Sequence, residues 1–418
     1  MTPIRPAAAL AAILLTLAPA RAEAPPTGSP VLDAAVDRLE ADFYNAAAMP
    51  SLEETVATVA ANLPGLATAE PAVLDDAVAF VLASLGASHT ARYTSDTVEY
   101  YELLDVFRYG VRDRLRALYP AGEVIYAGIG AATVPIDGVP FLTDVYDGGP
   151  AARAGLLSGD EVVAVDGAPF TGLAAFADKA GATVKVSVRR APGTAPFDVE
   201  VAVEWLKPSP LFLDAIRDSA RIVERDGFRL GYLRLWSWTE RETRDVVEAA
   251  LAGPLADADG LILDLRSRWG GAPADAADSF IGGGPDMTMT FRNGTTDLVH
   301  ARWRKAIVAI VDRGTRSGME ILAHALKAGG VRLVGETTAG AVLAGRGFLL
   351  PDDSLLIVAV ADVSVDGQRL EGVGVAPDIA VPFDIRFAAG ADPQLDAAAA
   401  ELVRSLTVTA GPPSTATP

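Results

Sequence analysis

The chain has no cysteine in its 418 residues, only three histidines, and no lysine after Lys327. The lack of cysteine excludes disulfides, thiol nucleophiles and thiolate metal sites. Three scattered histidines form no ligand cluster at a familiar spacing, so we expect no metal and no other cofactor. Positive charge is also scarce, and a formal net charge of −19 argues against nucleic-acid binding.

Long hydrophobic runs are almost absent as well. The apolar stretch at residues 7–19 follows Arg5 and ends in small residues, a pattern typical of a secretory signal peptide cleaved after Ala22. An uncleaved anchor helix is the alternative, but the run is shorter than the roughly 20 residues that span a bilayer. We therefore expect an exported protein, periplasmic or secreted, of a bacterial envelope, with no integral membrane segment after cleavage.

The spacing of apolar residues changes along the chain and predicts its domains. Up to about residue 121, apolar residues recur every three or four positions, which indicates helices. Short β-rich runs with Gly, Pro and Asp follow, and after residue 207 strands alternate with helices, which indicates an α/β core. The predicted units are a signal peptide (1–22), a helical N-terminal domain (23–121), a small β-rich domain (122–206), an α/β core (207–405) and a disordered tail (406–418).

Ser317 lies between the apolar run 306–311 and a helical stretch at about 317–328. The first N–H groups and the dipole of that helix would lie beside its hydroxyl and could support an oxyanion. The alternative is an N-cap, the commoner role of a serine before a helix. A nucleophilic role also requires a base elsewhere in the chain, because a serine hydroxyl is a poor nucleophile at neutral pH.

The β-rich unit resembles a PDZ domain. The resemblance rests on GIG at 128–130, on DGGPAARAGLLSGDEVVAVDG at 147–167, and on a closing pair of strands. An unrelated small β-domain is the alternative. The resemblance implies that an extended peptide adds a strand to the sheet edge, while the loop of Gly128, Ile129 and Gly130 binds its terminal carboxylate.

Four motifs follow the PDZ segment in a fixed order: GLILDLRSRWGG (260–271), GTRSGMEI (314–321), VGETTAG (334–340) and EGVGVAPDI (371–379). This order resembles the carboxyl-terminal processing peptidases and their tricorn-protease relatives over roughly residues 75–385. The resemblance implies a crotonase-like core of strand-strand-helix repeats and a catalytic serine at Ser317. The better-known branch has a lysine base at the position of Ala341, which cannot accept a proton, so a Ser-Lys dyad of the usual form is excluded.

The tricorn branch instead pairs its serine with a histidine and a glutamate. His89, in LGASHTARY, resembles that branch's histidine motif, and Glu371 matches its acidic position, for which an exposed turn residue is the alternative. Ser88, just before His89, is expected as an accessory residue that hydrogen-bonds within the site, or else as a cap of the following segment. The resemblance thus implies a triad of Ser317, His89 and Glu371, in which the carboxylate orients the imidazole.

The other two histidines are weaker candidates. His324 lies two helical turns from Ser317, roughly 10 Å, and more often such a residue packs on the core. His300 has no motif around it. The oxyanion hole would come from the backbone N–H groups of Gly318 and of Gly270 or Gly271; for the glycine pair, a tight turn is the alternative.

The leading hypothesis is an exported serine endopeptidase that selects protein or peptide substrates with accessible C-termini through its PDZ domain. The competing hypothesis is a catalytically inactive family member that acts as a peptide-binding or scaffold protein, which the missing lysine favours. A carrier of apolar ligands is a third possibility without local support. The sequence leaves the natural substrate and the oligomeric state open.

Overall fold

The structure is a computed structural model that describes residues 24–266, 270–300 and 303–410. The predicted signal peptide at residues 1–22 lies outside the described residues. In the described part of the chain, no helix is both long and apolar enough to cross a lipid bilayer.

Helices dominate the first part of the chain, as the spacing of its apolar residues predicts. Ser29 caps the first of them by accepting a hydrogen bond from the Leu32 N–H, and a proline lies in the first turn of each of the first three. The elements are α1 (Pro30–Asp42), α2 (Met49–Asn62), α3 (Pro71–Ala83), β1 (Ala91–Tyr93), α4 (Val98–Val106) and α5 (Arg112–Leu118).

The β-rich unit consists of short strands and one short helix. They are β2 (Tyr126–Gly128), β3 (Ala131–Ile136), β4 (Val139–Val145), α6 (Pro150–Arg153), β5 (Glu161–Val165), β6 (Ala168–Pro169), β7 (Thr183–Arg189), β8 (Phe197–Ala202) and β9 (Glu204–Leu206). Strands β3, β4, β5, β7 and β8 form one sheet in this order, with β6 beside β5, and β2 pairs with β9. Asp137 and Gly138 join β3 to β4 with positive φ, as a two-residue hairpin turn requires.

The remaining chain alternates strands and helices. The elements are α7 (Pro208–Ser219), β10 (Arg221–Arg225), β11 (Phe228–Arg234), α8 (Glu242–Ala252), β12 (Gly260–Asp264), α9 (Asp278–Ile281), β13 (Asp286–Thr290), β14 (Thr296–His300), β15 (Ala306–Val311), α10 (Gly318–Ala328), β16 (Arg332–Gly335), β17 (Ala344–Leu349), β18 (Leu355–Ala361), β19 (Ser364–Val365), β20 (Gln368–Arg369), β21 (Ile379–Ala380) and α11 (Pro393–Ala410). Six strands form the central sheet in the order β10-β11-β12-β15-β16-β21, parallel except for β10 against β11.

The central sheet is covered on both faces, so its inner strands are apolar throughout. All five residues of β12 are buried. Because side chains alternate along a strand, Leu261 and Leu263 lie in the same core as Leu322 of α10, whereas Ile262 lies in the core that includes Leu402 of α11. Helix α10 is therefore held at one face of the sheet, just after the end of β15.

A second, smaller sheet separates the core of α10 from a third core. It has the order β1-β18-β17, and β18 contributes Leu355 and Ile357 to the core of α10 but Leu356 and Val358 to the core of α1, α2 and α3. Helices α4 and α5 contribute to the first of these cores, through residues such as Leu104. The segment predicted as one helical unit thus packs into two cores, each shared with the C-terminal half.

The β-rich unit is docked on the central α/β part through polar and aromatic contacts. Asp147 accepts a hydrogen bond of 3.0 Å from the Trp236 indole N–H. Tyr146 is almost fully buried, with its ring centroid 4.7 Å from that of Trp236, and the rings of Phe141 and Phe387 meet edge to face at 5.1 Å. These contacts fix the unit beside the strand end that carries Trp236.

The predicted tail is wrong for residues 406–410, because α11 continues to Ala410. Leu406 packs on the core under the central sheet, and the Thr407 hydroxyl donates a hydrogen bond of 2.9 Å to the Val403 carbonyl. Burial of one apolar side chain and this local bond extend the helix beyond the point where its apolar pattern weakens. Residues 411–418 lie outside the described residues.

Replacing Val358 with alanine should destabilise the protein by about 1.5–3 kcal/mol, because the side chain is fully buried and two methyl-sized groups are lost with a cavity left behind. Val408→Ala is the matched control, since Val408 is 73% exposed. Thermal unfolding measures both. Equal transition temperatures for the two variants would contradict the packing described for β18.

Candidate active site

Ser317 lies at the junction of β15 and α10, in the position before the first helical residue. Its backbone has φ 56° and ψ −129°, a combination that is unfavourable for a residue with a side chain. Such strain costs of order 1–3 kcal/mol and is concentrated at functional sites. The loop before it is held in place by Asp312, whose carboxylate accepts hydrogen bonds from Gly314 N and Thr315 N.

His89 contacts Ser317 although 228 residues separate them. The imidazole Nε2 lies 3.2 Å from the Ser317 Oγ. His89 precedes β1, whose pairing with β18 places Ala91 opposite Ile357. Gly345 in β17 leaves room for the ring, because a Cβ there would lie 3.1 Å from the imidazole Cδ2. The predicted histidine and serine are therefore brought together by a strand pairing.

Glu371 reaches His89 through Ser88. The Ser88 Oγ lies 3.0 Å from the imidazole Nδ1 and donates a hydrogen bond of 2.8 Å to the Glu371 Oε2. The Ser88 N–H donates to the Glu371 Oε1 at 3.0 Å, and the Val342 N–H donates to the Oε2 at 2.8 Å. Ser88, predicted as an accessory residue, therefore lies between the Glu371 carboxylate and the imidazole.

The direction of these hydrogen bonds assigns the imidazole tautomer. Since the Ser88 hydroxyl gives its proton to Glu371, its oxygen can only accept from the Nδ1–H of His89. The Nε2 of a neutral ring is then unprotonated and faces the Ser317 hydroxyl. This is the tautomer that can remove a proton from Ser317.

Burial lowers the pKa of His89 from 6.5 to about 4, and the nearby positive charge of Arg316 lowers it further, whereas the Glu371 carboxylate raises it. The burial effect is the largest of the three. His89 is consequently neutral at physiological pH and available as a proton acceptor. Arg316 was not among the predicted site residues, although its position directly before Ser317 was a usable signal.

The glycines predicted to form an oxyanion hole lie in closely packed backbone around Ser317. A Cβ on Gly270 would lie 2.5 Å from the Ser317 Cβ and 2.8 Å from the Gly318 N, and one on Gly318 would lie 2.4 Å from the Ala272 N. No side chain fits at either position. Gly271 has a φ of 86°, so it too lies in the left-handed region that favours glycine.

A cavity of about 280 Å³ opens beside Ser317. Apolar side chains form most of its wall, and His89 and Arg316 lie at the same cavity; the apolar residues are Leu103, Val106, Phe107, Leu343, Ala344 and Ile357. A cavity of this size and composition suits an aliphatic side chain.

His324 and His300 were the weaker candidates for the base. The His324 Nε2 lies 3.1 Å from the Asp366 Oδ2, so His324 pairs with a carboxylate rather than only packing on the core. His300 ends β14, opposite Asp286 of β13. Ala341 is buried, and its carbonyl accepts a hydrogen bond of 2.9 Å from the Ser317 N–H.

The predicted peptide-binding loop, Gly128 to Gly130, is buried. The Ile129 carbonyl accepts from the Ala151 N–H at 2.8 Å, and the Gly130 carbonyl accepts from the Tyr146 N–H at 3.1 Å. The adjoining groove has a volume of only about 30 Å³, and Val98 of α4 forms part of its wall. The groove is nearly closed in this conformation.

Residues 229–381 match the sequence profile of peptidase family S41, and residues 141–190 match that of a PDZ domain. These two matches confirm the resemblance at the level of an S41 peptidase domain and a PDZ domain, while the Ser-His-Glu branch stays a prediction. The relatives of the chain are carboxyl-terminal processing proteases. The carboxy-terminal processing protease CtpA of Bacillus subtilis is 26% identical over 270 residues, which cover 61% of this chain and 56% of the relative.

The chloroplastic C-terminal processing peptidase of Tetradesmus obliquus is 30% identical over 254 residues, which cover 56% of this chain and 54% of the relative. The matched region is thus little more than half the length of these relatives. Among solved structures, the tricorn protease is similar over 90% of this chain and 36% of that chain, with a TM-score of 0.52 and 15% identity. This similarity shows a shared fold.

His89 should titrate with a pKa of about 4, and Arg316→Gln should raise that pKa, because the variant removes a positive charge that disfavours the imidazolium. An NMR titration of the histidine ring protons measures this, since the chain has only three histidines. Arg313→Gln is the control, because Arg313 is 83% exposed and pairs with Glu336. An unchanged His89 pKa in Arg316→Gln would contradict the assignment.

Proposed function

We propose that the protein is a serine endopeptidase in which Ser317 is the nucleophile, His89 the general base and Glu371 the residue that orients His89 through Ser88. The observation that carries the proposal is the 3.2 Å distance between the His89 Nε2 and the Ser317 Oγ. The distance lies at the upper end of the hydrogen-bond range. Catalytic hydrogen bonds are often this long without substrate and shorten when substrate binds. The strained backbone of Ser317 supports the same conclusion.

In the reaction, the Ser317 Oγ attacks the scissile carbonyl carbon and its proton passes to the His89 Nε2. The imidazolium is stabilised by the Ser88 oxygen and the Glu371 carboxylate behind it. As the tetrahedral intermediate collapses, His89 donates the proton to the leaving amine and an acyl-enzyme on Ser317 remains. Water, deprotonated by the same imidazole, then hydrolyses the ester and restores the serine.

The negative oxygen of the tetrahedral intermediate needs hydrogen-bond donors at a fixed place. We assign this role to the backbone N–H groups of Gly318 and of Gly270 or Gly271, which are supported by the close packing of these glycines on Ser317. The positive end of the α10 dipole lies at the same place. Loss of one such donor typically costs about 10²–10³ in rate.

The PDZ domain is proposed to select substrates by their C-terminal tails, as the names of the carboxyl-terminal processing relatives suggest. The tail would lie along β3, with its carboxylate at Gly128, Ile129 and Gly130. Because that loop is buried and the groove nearly closed, binding must displace the Val98 end of α4. Export to the periplasm or medium, on the basis of residues 1–22, belongs to the same proposal.

The finer fold assignment is a proposal too. A strand-strand-helix unit is present in β10, β11 and α8, and helix α10 joins the parallel strands β15 and β16. These connections support a crotonase-like core for residues 207–405. Residues 23–121 would be an N-terminal helical domain whose helices complete that core rather than fold apart from it.

Ser317→Ala should lower peptidase activity by roughly 10⁴–10⁶-fold, because it removes the nucleophile and leaves only binding and the oxyanion donors. The assay measures cleavage of an unfolded polypeptide with a free C-terminal carboxylate and labelling by a fluorophosphonate probe. Ser51→Ala, an exposed serine on α2, is the control.

Equal cleavage or labelling of wild type and Ser317→Ala would exclude Ser317 as the nucleophile. A wild-type protein that binds the substrate tail but neither cleaves nor reacts would instead support the inactive, peptide-binding alternative. The same polypeptide with an amidated C-terminus should show a raised KM, since the charged carboxylate is the group that the PDZ loop would bind.

Ser88→Ala should lower kcat by roughly 10²–10⁴-fold with a smaller change in KM, because His89 loses its connection to the Glu371 carboxylate and its fixed tautomer. Ser84→Ala is a matched control in the same region, since the Ser84 hydroxyl donates only to the Val81 carbonyl of its own helix. Steady-state kinetics on one peptide substrate measure both. Wild-type kcat in Ser88→Ala would remove Ser88 from the relay.

A further inference from the structure

Glu320 is a fully buried acidic residue in the first turn of α10, three positions after Ser317. Within the described residues it forms no ion pair with lysine or arginine. An isolated carboxylate in such a place is costly unless hydrogen bonds replace water. The favourable dipole at the start of α10 supplies part of the compensation.

Four donors surround the Glu320 carboxylate. Its Oε2 accepts from the Ser317 N–H at 3.2 Å and the Ala341 N–H at 2.7 Å. Its Oε1 accepts from the Gly340 N–H at 2.7 Å and the Thr338 hydroxyl at 2.5 Å. An N-terminal capping box explains only the first of these bonds. The other three bind a separate segment, residues 338–341, to the nucleophile.

That segment also contacts Glu371, the acidic residue of the proposed triad. Val342, the next residue, donates its N–H to the Glu371 Oε2 at 2.8 Å. The Gly340 carbonyl accepts from the Gly372 N–H at 2.8 Å, and the Thr338 hydroxyl oxygen accepts from the Val375 N–H at 2.7 Å. The segment thus lies between Glu320 and the chain that carries Glu371.

The Ser317 N–H has two acceptors in this arrangement, the Glu320 carboxylate and the Ala341 carbonyl at 2.9 Å. Both hold the backbone at the residue whose φ is 56°. A strained conformation persists only where its surroundings impose it. Glu320 and the segment it binds supply that constraint.

We propose that Glu320 is a positioning residue for the peptidase reaction. Its carboxylate holds the backbone of Ser317 against the segment that binds Glu371, and so fixes the distance between Ser317 and Glu371. The inference rests on the proposed function of Ser317, His89 and Glu371. Glu320 touches neither the imidazole nor the cavity beside Ser317, so its effect on the reaction is through these backbone contacts.

Glu320→Gln tests the proposal with almost no change in side-chain size. Each carboxylate oxygen accepts from at least one backbone N–H, so the amide NH₂ faces a donor whichever way the side chain turns. We expect kcat to fall by roughly 10–10³-fold with KM changed less than threefold, since misplacement by about 1 Å can cost 10²-fold. In Glu320→Asp the side chain is too short to reach both segments, so kcat should fall at least as far.

Glu401→Gln is the matched control, because Glu401 is also buried but lies on α11 and pairs with Arg404 and Arg332. Thermal unfolding of both variants separates loss of stability from loss of positioning. A folded Glu320→Gln protein with wild-type kcat overturns the proposal. So does a fall in activity that follows unfolding temperature equally in both variants.

Hydrogen exchange followed by mass spectrometry gives a readout that does not need activity. In Glu320→Gln, exchange should rise together in residues 315–320, 338–342 and 370–375, and in Glu401→Gln it should remain at the wild-type rate in all three. If wild type proves inactive, the proposed function fails while this measurement still decides whether Glu320 joins the segments. Unchanged exchange in 338–342 overturns the joining role.

Discussion

The site depends on one short strand pairing. Three residues of β1 lie antiparallel to β18, and this register places the loop of Ser88 and His89 over the start of α10. Strand β18 can hold that position because its two faces are buried in different cores, Leu355 and Ile357 toward α10, Leu356 and Val358 toward the N-terminal helices. A shift of the strand register by one residue would exchange those faces and move apolar side chains out of their cores. The free-energy cost of such a shift keeps the register, and with it the distance between the imidazole and the hydroxyl.

Two carboxylates, Glu371 and Glu320, are buried around Ser317 and His89. Within the described residues, backbone N–H groups and hydroxyls donate hydrogen bonds to them, and neither carboxylate pairs with a lysine. Arg316 lies close enough to His89 to lower its pKa, so a neutral imidazole is favoured before reaction. The Glu371 carboxylate raises the pKa but does not outweigh burial and Arg316. Under the proposed mechanism, Glu371 is the group that offsets part of the cost of charging the imidazole.

The sequence was sufficient for the parts of the site that lie in short motifs. Ser317, His89 and Glu371 were predicted from short motifs through the family resemblance, and the structure brings all three into one hydrogen-bond network. The bridging position of Ser88 could not be read from sequence, since it depends on side-chain directions in a folded loop. The contribution of Val98 to the wall of the narrow groove at Ile129 is likewise a tertiary contact that no local pattern predicts. Glu320 did carry a signal, its capping-box spacing, but spacing alone does not reveal the donors from residues 338–341.

Helix α4 forms part of the wall of two cavities. Its first residue, Val98, lines the groove of the PDZ domain, while Leu103 and Val106 line the cavity beside Ser317. Val98 lies five residues before Leu103 and eight before Val106, roughly 7.5 and 12 Å along the helix axis. During evolution neither cavity can change its shape at this helix without constraining the other. If the proposed function holds, substitutions in α4 would change tail binding and cleavage together, and their effects on binding and rate would not be additive.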